Sequence, residues 1–156
     1  MQSSPSIHEL LNDVLTAELT SVNQYFVHSK MCANWGYQHL AEKIRAESFE
    51  EMKHAEKVID RLLYLEGVPN MQRLGNVRVG ERVREQLDVD LDLERTHVAR
   101  LNTAIESARE QGDQGTRLLL EEILEDSEDH VDWLETQLEL VRQLGEELYL
   151  STQVRD

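Results

Sequence analysis

Apolar residues recur along this chain at alternating steps of three and four, the spacing that gathers side chains on one face of an α-helix. They do so in four long runs separated by glycine-containing breaks. The first run gives Leu11, Leu15, Glu18, Val22 and Tyr25 as inward positions, and the second gives Leu40, Ile44, Glu47, Glu51, His54, Val58, Leu62 and Leu65. The third gives Val83, Leu87, Leu91, Glu94, Val98, Leu101 and Ile105, and the fourth Leu120, Ile123, Ser127, His130, Leu134, Leu138 and Val141. Each stripe is apolar except near its middle.

Start and stop residues bound these runs. Ser4 as N-cap with Pro5 at the first helical position opens a helix that runs to the Asn34-Trp35-Gly36 break. The second helix is predicted from about Tyr37 to Glu66, where Gly67 and Pro69 stop it, and the third from about Glu81 to Gln111. The fourth covers about Gln114 to Leu144, between Gly112 and Gly145, and a short fifth covers Glu146 to about Val154. Three connections are short and make their helices antiparallel neighbours, whereas the stretch from Gly67 to Gly80 is long and aperiodic and reads as a crossover. The expected fold is all-α and a single domain over 1–156. It is an antiparallel four-helix bundle over about 4–145, with a long crossover between helices two and three and a short fifth C-terminal helix over about 146–154.

Composition agrees with this pattern and narrows the partners. A chain of 156 residues can bury a substantial core, and seven glycines and two prolines leave it rich in good helix formers. Thirty-one acidic against 16 basic residues give a net charge of -15, which repels phosphate backbones and anionic headgroups. Nucleic acid and membranes are therefore excluded as partners, and cations are favoured. The lone Cys32 permits no internal disulfide and no thiolate metal cluster, so any metal chemistry must use oxygen and nitrogen ligands. No basic segment followed by an apolar run opens the chain, and a soluble cytoplasmic protein is expected.

A shift of 76 residues superimposes the two halves, with Leu15 on Leu91, Glu18 on Glu94, Val22 on Val98, His54 on His130 and Val58 on Leu134. The quasi-repeat thus extends to polar positions, and it places Glu51 on Ser127. Carboxylates and imidazoles in an apolar seam cost several kcal/mol unless something compensates them, and a bound cation does so for Glu18, Glu51, His54, Glu94 and His130 together. Glu51-x-x-His54 sets two ligands on one helical face, the arrangement of di-iron or di-manganese carboxylate sites in such bundles. Tyr25 in the same seam is either a core tyrosine or a redox-active neighbour of the metals.

Several motifs resemble those of the bacterioferritins over essentially the whole chain. They are the segment Leu19 to Lys30 with Asn23-Gln24-Tyr25-Phe26, the run Glu50 to Ala55, the turn Leu65 to Asn70, and the run His130 to Leu138. The resemblance implies a cage of 24 subunits that stores and detoxifies iron as ferric mineral. Each subunit would carry a ferroxidase centre that oxidises Fe²⁺ with O₂ or peroxide, with Glu18, Glu51, His54, Glu94 and His130 as ligands. It also implies haem b between two subunits, ligated by Met52 from each. Met52 lies about 100° round the helix from Glu51 and points out of the seam, and Leu19, Asn23 and Phe26 fall on a matching outward face. Glu47 and Glu50 resemble auxiliary iron-binding carboxylates, and an electron donor such as a ferredoxin is a further implied partner.

The chain departs from the family at Ser127, where a glutamate ligand is expected. Three carboxylates leave two Fe²⁺ ions incompletely neutralised, so the centre is expected to be impaired. Asp126, roughly 40° round the helix from His130, is a substitute ligand in one reading. In another the subunit contributes haem or mineral space within a cage mixed with a complete partner subunit. A haem-carrying structural subunit and a di-iron oxidase that forms no cage are the alternatives to iron storage.

Overall fold

The helices form where the apolar stripes run and end where the main chain reverses. In the computed structural model, which describes residues 5–154, α1 spans Pro5–Asn34, α2 Gln38–Tyr64, α3 Val83–Glu110, α4 Gln114–Leu144 and α5 Glu146–Ser151. The expected Ser4 cap lies outside the described residues. Helix α4 starts on Asp113, whose carboxylate accepts from the Thr116 amide at 3.1 Å. It stops at Gly145, whose φ of 81° is the left-handed region that a side chain would strain. Helix α2 ends two residues short of Glu66. There Glu66, rather than Gly67, takes the left-handed conformation at φ 63°, and the Gly67 amide donates back to the Leu62 carbonyl at 2.7 Å. Helix α5 is shorter than expected, because the Thr152 and Gln153 amides turn back on Tyr149 and Leu150 at 3.0 Å. The Gln153 carbonyl meanwhile accepts from the His39 amide at 3.0 Å, which ties the tail to the start of α2.

Helices α1 and α2 pack along their lengths as one hairpin and α3 and α4 as another, with α1 against α3 between them. The core comprises two apolar clusters. One includes Leu11, Leu15, Val58, Leu62, Leu101, Leu120 and Ile123, and the other Leu40, Ile44, Leu87, Leu91, Leu134 and Val141. On every long helix the change from one cluster to the other falls at buried polar residues, namely Glu18 on α1, Glu51 and His54 on α2, Glu94 and His97 on α3, and Ser127 and His130 on α4. A polar layer thus crosses the bundle. Among the described residues no helix is long and apolar enough to cross a membrane.

The crossover, residues 65–82, is held by side chains spaced every four residues along α1, a spacing that advances about 40° per step and so winds them gradually round the helix as the crossover runs along it. His8 donates to the Leu65 carbonyl (2.9 Å), Asn12 donates to Val68 (3.1 Å) and accepts from the Asn70 amide (2.8 Å), and Thr16 accepts from Arg73 Nε (2.9 Å). Thr20 then accepts from the Gly75 amide (2.8 Å), Gln24 from Arg78 (3.0 Å) and His28 Nε2 from Gly80 (3.0 Å). The other nitrogen of His28 donates to buried Asp90 on α3 at 2.9 Å, as does Gln24 at 2.8 Å. At Gly80 a Cβ would lie 2.6 Å from the Gln86 amide nitrogen, so only glycine allows the crossover to meet α3 there.

Candidate metal centre

The polar layer brings Glu18, Glu51, His54, Glu94 and His130 together as the 76-residue repeat predicts. His54 Nδ1 lies 3.3 Å from Glu18 Oε1 and 3.9 Å from Glu51 Oε1. In the other hairpin the matching His130 Nδ1 lies 3.1 Å from Glu94 Oε2. Tyr25 donates to Glu94 Oε2 and sets its ring edge-on to His130, with centroids 5.1 Å apart. Glu18, Glu51 and His54 offer ligand atoms that all lie within 4.8 Å of one another.

The charges in this layer are strongly interdependent. Burial raises the Glu51 carboxyl well above the usual range, and the neighbouring Glu18 and Glu94 carboxylates push it further. Against the cost of its own burial, Glu18 is pulled far down by His97 and His54, and Glu94 is pulled down by His130. Burial disfavours charge on His54 too, yet Glu18 and Asp126 hold its pKa at about 9. Burial and the adjoining carboxylates keep the Tyr25 phenol protonated, as its role as donor to Glu94 requires.

The sequence stripe missed His97. Stepping four residues from Glu94 selected Val98, but the inward residue is His97, 2 % exposed, and Val98 is only half-buried. The detectable signal was the spacing itself, because Glu94-x-x-His97 repeats Glu51-x-x-His54. His97 Nε2 lies within hydrogen-bond reach of Glu18 Oε2, the oxygen that His54 does not face. Ser127 is fully buried, and its hydroxyl has no partner.

The remaining candidates lie round the rim. Asp126 does not turn toward Ser127 and instead meets the far nitrogen of His54, Nε2, at 2.8 Å. Glu50 groups with that pair, and its other near neighbour is Lys53 at 3.7 Å. Glu47 is largely buried and approaches His130 Nδ1 to 3.7 Å. Glu47, Glu50, Asp126, Asp129, His130 and Trp133, with Lys43, line a cleft of 160 Å³ that His130 alone of the five central residues borders. Met52 is 43 % exposed, and Phe26 and Phe49 are also exposed, with the Arg45 guanidinium over both rings. Asn23 is exposed as expected, but Leu19 turns inward and is buried.

A divalent cation suits this donor set. Neither oxygen of Glu51 finds a donor, and Glu94 Oε1, His97 Nδ1 and the Ser127 hydroxyl are also buried without partners. Unpartnered polar atoms in a dry layer are costly, and carboxylate oxygen with imidazole nitrogen matches the preferences of iron and manganese. The donors present can therefore hold such an ion.

Comparison with known proteins agrees with this arrangement. The ferritin-like domain matches residues 8–153. The bacterioferritin of Mycobacterium leprae is 54% identical over 149 residues, which cover 96% of this chain and 94% of the relative. That of Streptomyces coelicolor is 50% identical over 152 residues, covering 97% and 91%. The solved structure of Mycobacterium tuberculosis bacterioferritin, BfrA, superposes with a TM-score of 0.98 at 52% identity and covers 99% of this chain and 98% of that one. With the polar layer, the crossover and these likenesses in agreement along its length, the chain belongs to the bacterioferritins, within the ferritin-like fold.

Proposed function

We propose that this chain stores and detoxifies iron as a subunit of a cytoplasmic cage, and that its buried carboxylate–histidine layer is where Fe²⁺ is held and oxidised. The observation that carries this reading is Glu51, whose two buried oxygens face only carboxylates and imidazole and need a proton or a cation. Fe²⁺ is the substrate. It would reach the layer through the acidic cleft of Glu47, Glu50 and Asp126, passing from exposed to buried carboxylates beside His130. Two Fe²⁺ supply two electrons, which with two protons reduce O₂ to hydrogen peroxide, or hydrogen peroxide to two waters. Glu18, Glu51, His54, Glu94 and His130 act as ligands, Asp126 orients His54 from its far side, and Tyr25 steadies Glu94.

The test is stopped-flow absorbance after adding Fe²⁺ and oxidant to metal-free cages. A fast phase that saturates with iron per subunit, and that Glu18→Gln removes, supports the reading. Only slow, unsaturable oxidation in both proteins sinks it. Ser127 favours a second reading, a haem-carrying or space-filling subunit of a mixed cage with little oxidase activity of its own, and the same trace on the unmixed cage separates the two. A particle of subunit size on size exclusion would point instead to a non-cage oxidase.

The exposed Met52, on a chain that also exposes Phe26 and Phe49, supports a haem b site shared across a two-fold contact with a second copy. Met52→Leu is expected to remove haem absorbance from the purified cage while leaving iron loading intact. Haem retained at wild-type stoichiometry would exclude Met52 as its ligand. A ferredoxin-type electron donor docking near that haem completes the proposal.

A further inference from the structure

We infer that His97 is a ligand to the ion held by Glu18, Glu51 and His54, so that the centre takes one divalent ion tightly and a second weakly. The inference rests on the polar layer being a metal centre, as proposed above. His97 is almost wholly buried at the level of the layer, and its Nε2 contacts Glu18 Oε2 while His54 addresses Glu18 Oε1. Two donor atoms bound to one tetrahedral ion at about 2.1 Å sit about 3.4 Å apart, so ligands of one metal lie nearly as close together as hydrogen-bond partners do. His97 also comes one turn after Glu94 at the Glu-x-x-His spacing that presents Glu51 and His54 together.

The two halves of the layer have diverged in opposite senses. By the 76-residue shift His97 corresponds to Ser21, and Ser127 corresponds to Glu51. The α3–α4 hairpin therefore carries an imidazole beyond what the repeat supplies, which it directs at Glu18 on α1, and lacks a carboxylate one turn before its own His130. Glu18, Glu51 and His54 offer ligand atoms within 4.8 Å of one another, and a turn of the neighbouring His97 ring toward them would complete two carboxylates and two imidazoles, enough to surround a four-coordinate ion and to cancel its two positive charges. The other ion is left with Glu94, His130 and a share of Glu51, and its charge is under-compensated in a buried setting. A nitrogen-rich set of this kind takes Zn²⁺, Co²⁺ or Fe²⁺ in preference to Mn²⁺ or Mg²⁺. Ser21 and Ser127, both buried without partners, are too short and too weakly basic to make good the difference.

The experiment is titration of the metal-free cage with Co²⁺ and Zn²⁺, following the visible Co²⁺ bands and binding heat, for the wild type, His97→Gln and Glu18→Gln. One tight ion per subunit is expected in the wild type, with about tenfold or greater loss of affinity and an altered Co²⁺ spectrum in His97→Gln. Two equal ions per subunit, or a His97→Gln protein that binds as the wild type does while Glu18→Gln fails, overturns the inference and spares the metal centre. If neither variant alters binding, the metal-centre reading falls with it. A readout on the unaltered protein covers misfolding of the variants. X-ray absorption of the wild-type cage at one Co²⁺ per subunit should show two histidines on the metal, and a single one refutes the role of His97.

Discussion

Replacing Ser127 with glutamate is expected to raise the number of tightly held divalent ions from one to two per subunit and to speed the fast phase of Fe²⁺ oxidation by about tenfold or more. Position 127 is the repeat counterpart of Glu51, fully buried, with an unpartnered hydroxyl one helical turn before His130 on α4. Two Fe²⁺ bring four positive charges to three carboxylates, leaving about one charge unmatched. A carboxylate about 4 Å from an ion, at an effective dielectric of about 20, contributes about 4 kcal/mol per unit charge and so about 8 kcal/mol for a divalent ion, an upper bound near a millionfold on the gain in affinity for the second ion, from which the cost of burying the new carboxylate is subtracted. The same substitution should lower the thermal transition of the metal-free cage, because it buries a fourth carboxylate among three, and raise that of the metal-loaded cage. Iron-pulse kinetics with calorimetry on both forms would check this. An unchanged stoichiometry together with an unchanged fast phase would remove Ser127 as the cause of any impairment.

The second large effect is with rising pH, which lowers the stability of the metal-free protein while enlarging the stabilisation that metal adds. His54 is held at about 9 in the folded protein against an ordinary value of 6.5. A raised folded value contributes stability that is complete below pH 6.5 and is lost as pH climbs through about 9. At about 1.4 kcal/mol per tenfold, that gap is worth about 3 kcal/mol per subunit. His97 and His130 are also raised, against the opposing cost of burial, by Glu18 and Glu94 respectively, and the raised Glu51 carboxyl acts in the same sense. On the acid side the lowered Glu18 and Glu94 act the other way, giving stability above the ordinary 4.5 that disappears as pH falls through their depressed values. Chelated cages should therefore melt roughly 5–10 °C lower at pH 9 than at pH 6.5. Metal competes with these same protons, so the rise in melting temperature on adding Zn²⁺ should grow over the interval. A chelated cage whose melting is flat from pH 6.5 to 9 would mean that the layer holds no such protons.

How far the chain could be read in advance depended on whether local spacing or a neighbour across the bundle decided each position. Gln114–Leu144 was legible to the residue because Asp113 caps it and Gly145 stops it, both local effects. Glu18, Glu51, His54, Glu94 and His130 were legible because charged residues that recur at matching places in two apolar stripes are too costly to bury unless they share a compensating ion. His97 was lost at a step where three or four residues were equally admissible; what turned α3 toward His97 was its packing against α1, which periodicity does not contain. Asp126 shows the same limit, since its angle round α4 follows from the sequence but says nothing of His54 on α2, its actual partner. The crossover was visible only as a lack of period. Its partners, His8, Asn12, Thr16, Thr20, Gln24 and His28, stand at constant intervals in the first helix, but nothing in that spacing names the main-chain groups they hold.

Those six side chains work as a gauge. Each grips a different point of the crossover, and the last passes the connection on to Asp90, one turn before Glu94. A slip of one step along α1 would carry α3 about 6 Å past it, far enough to set His97 and Glu94 against the wrong turn of the facing helix. The alignment of two distant stretches of chain within the polar layer is thus measured out by hydrogen bonds along α1 that lie outside that layer, and an error in threading the crossover would first be felt as a loss of affinity for the proposed ion.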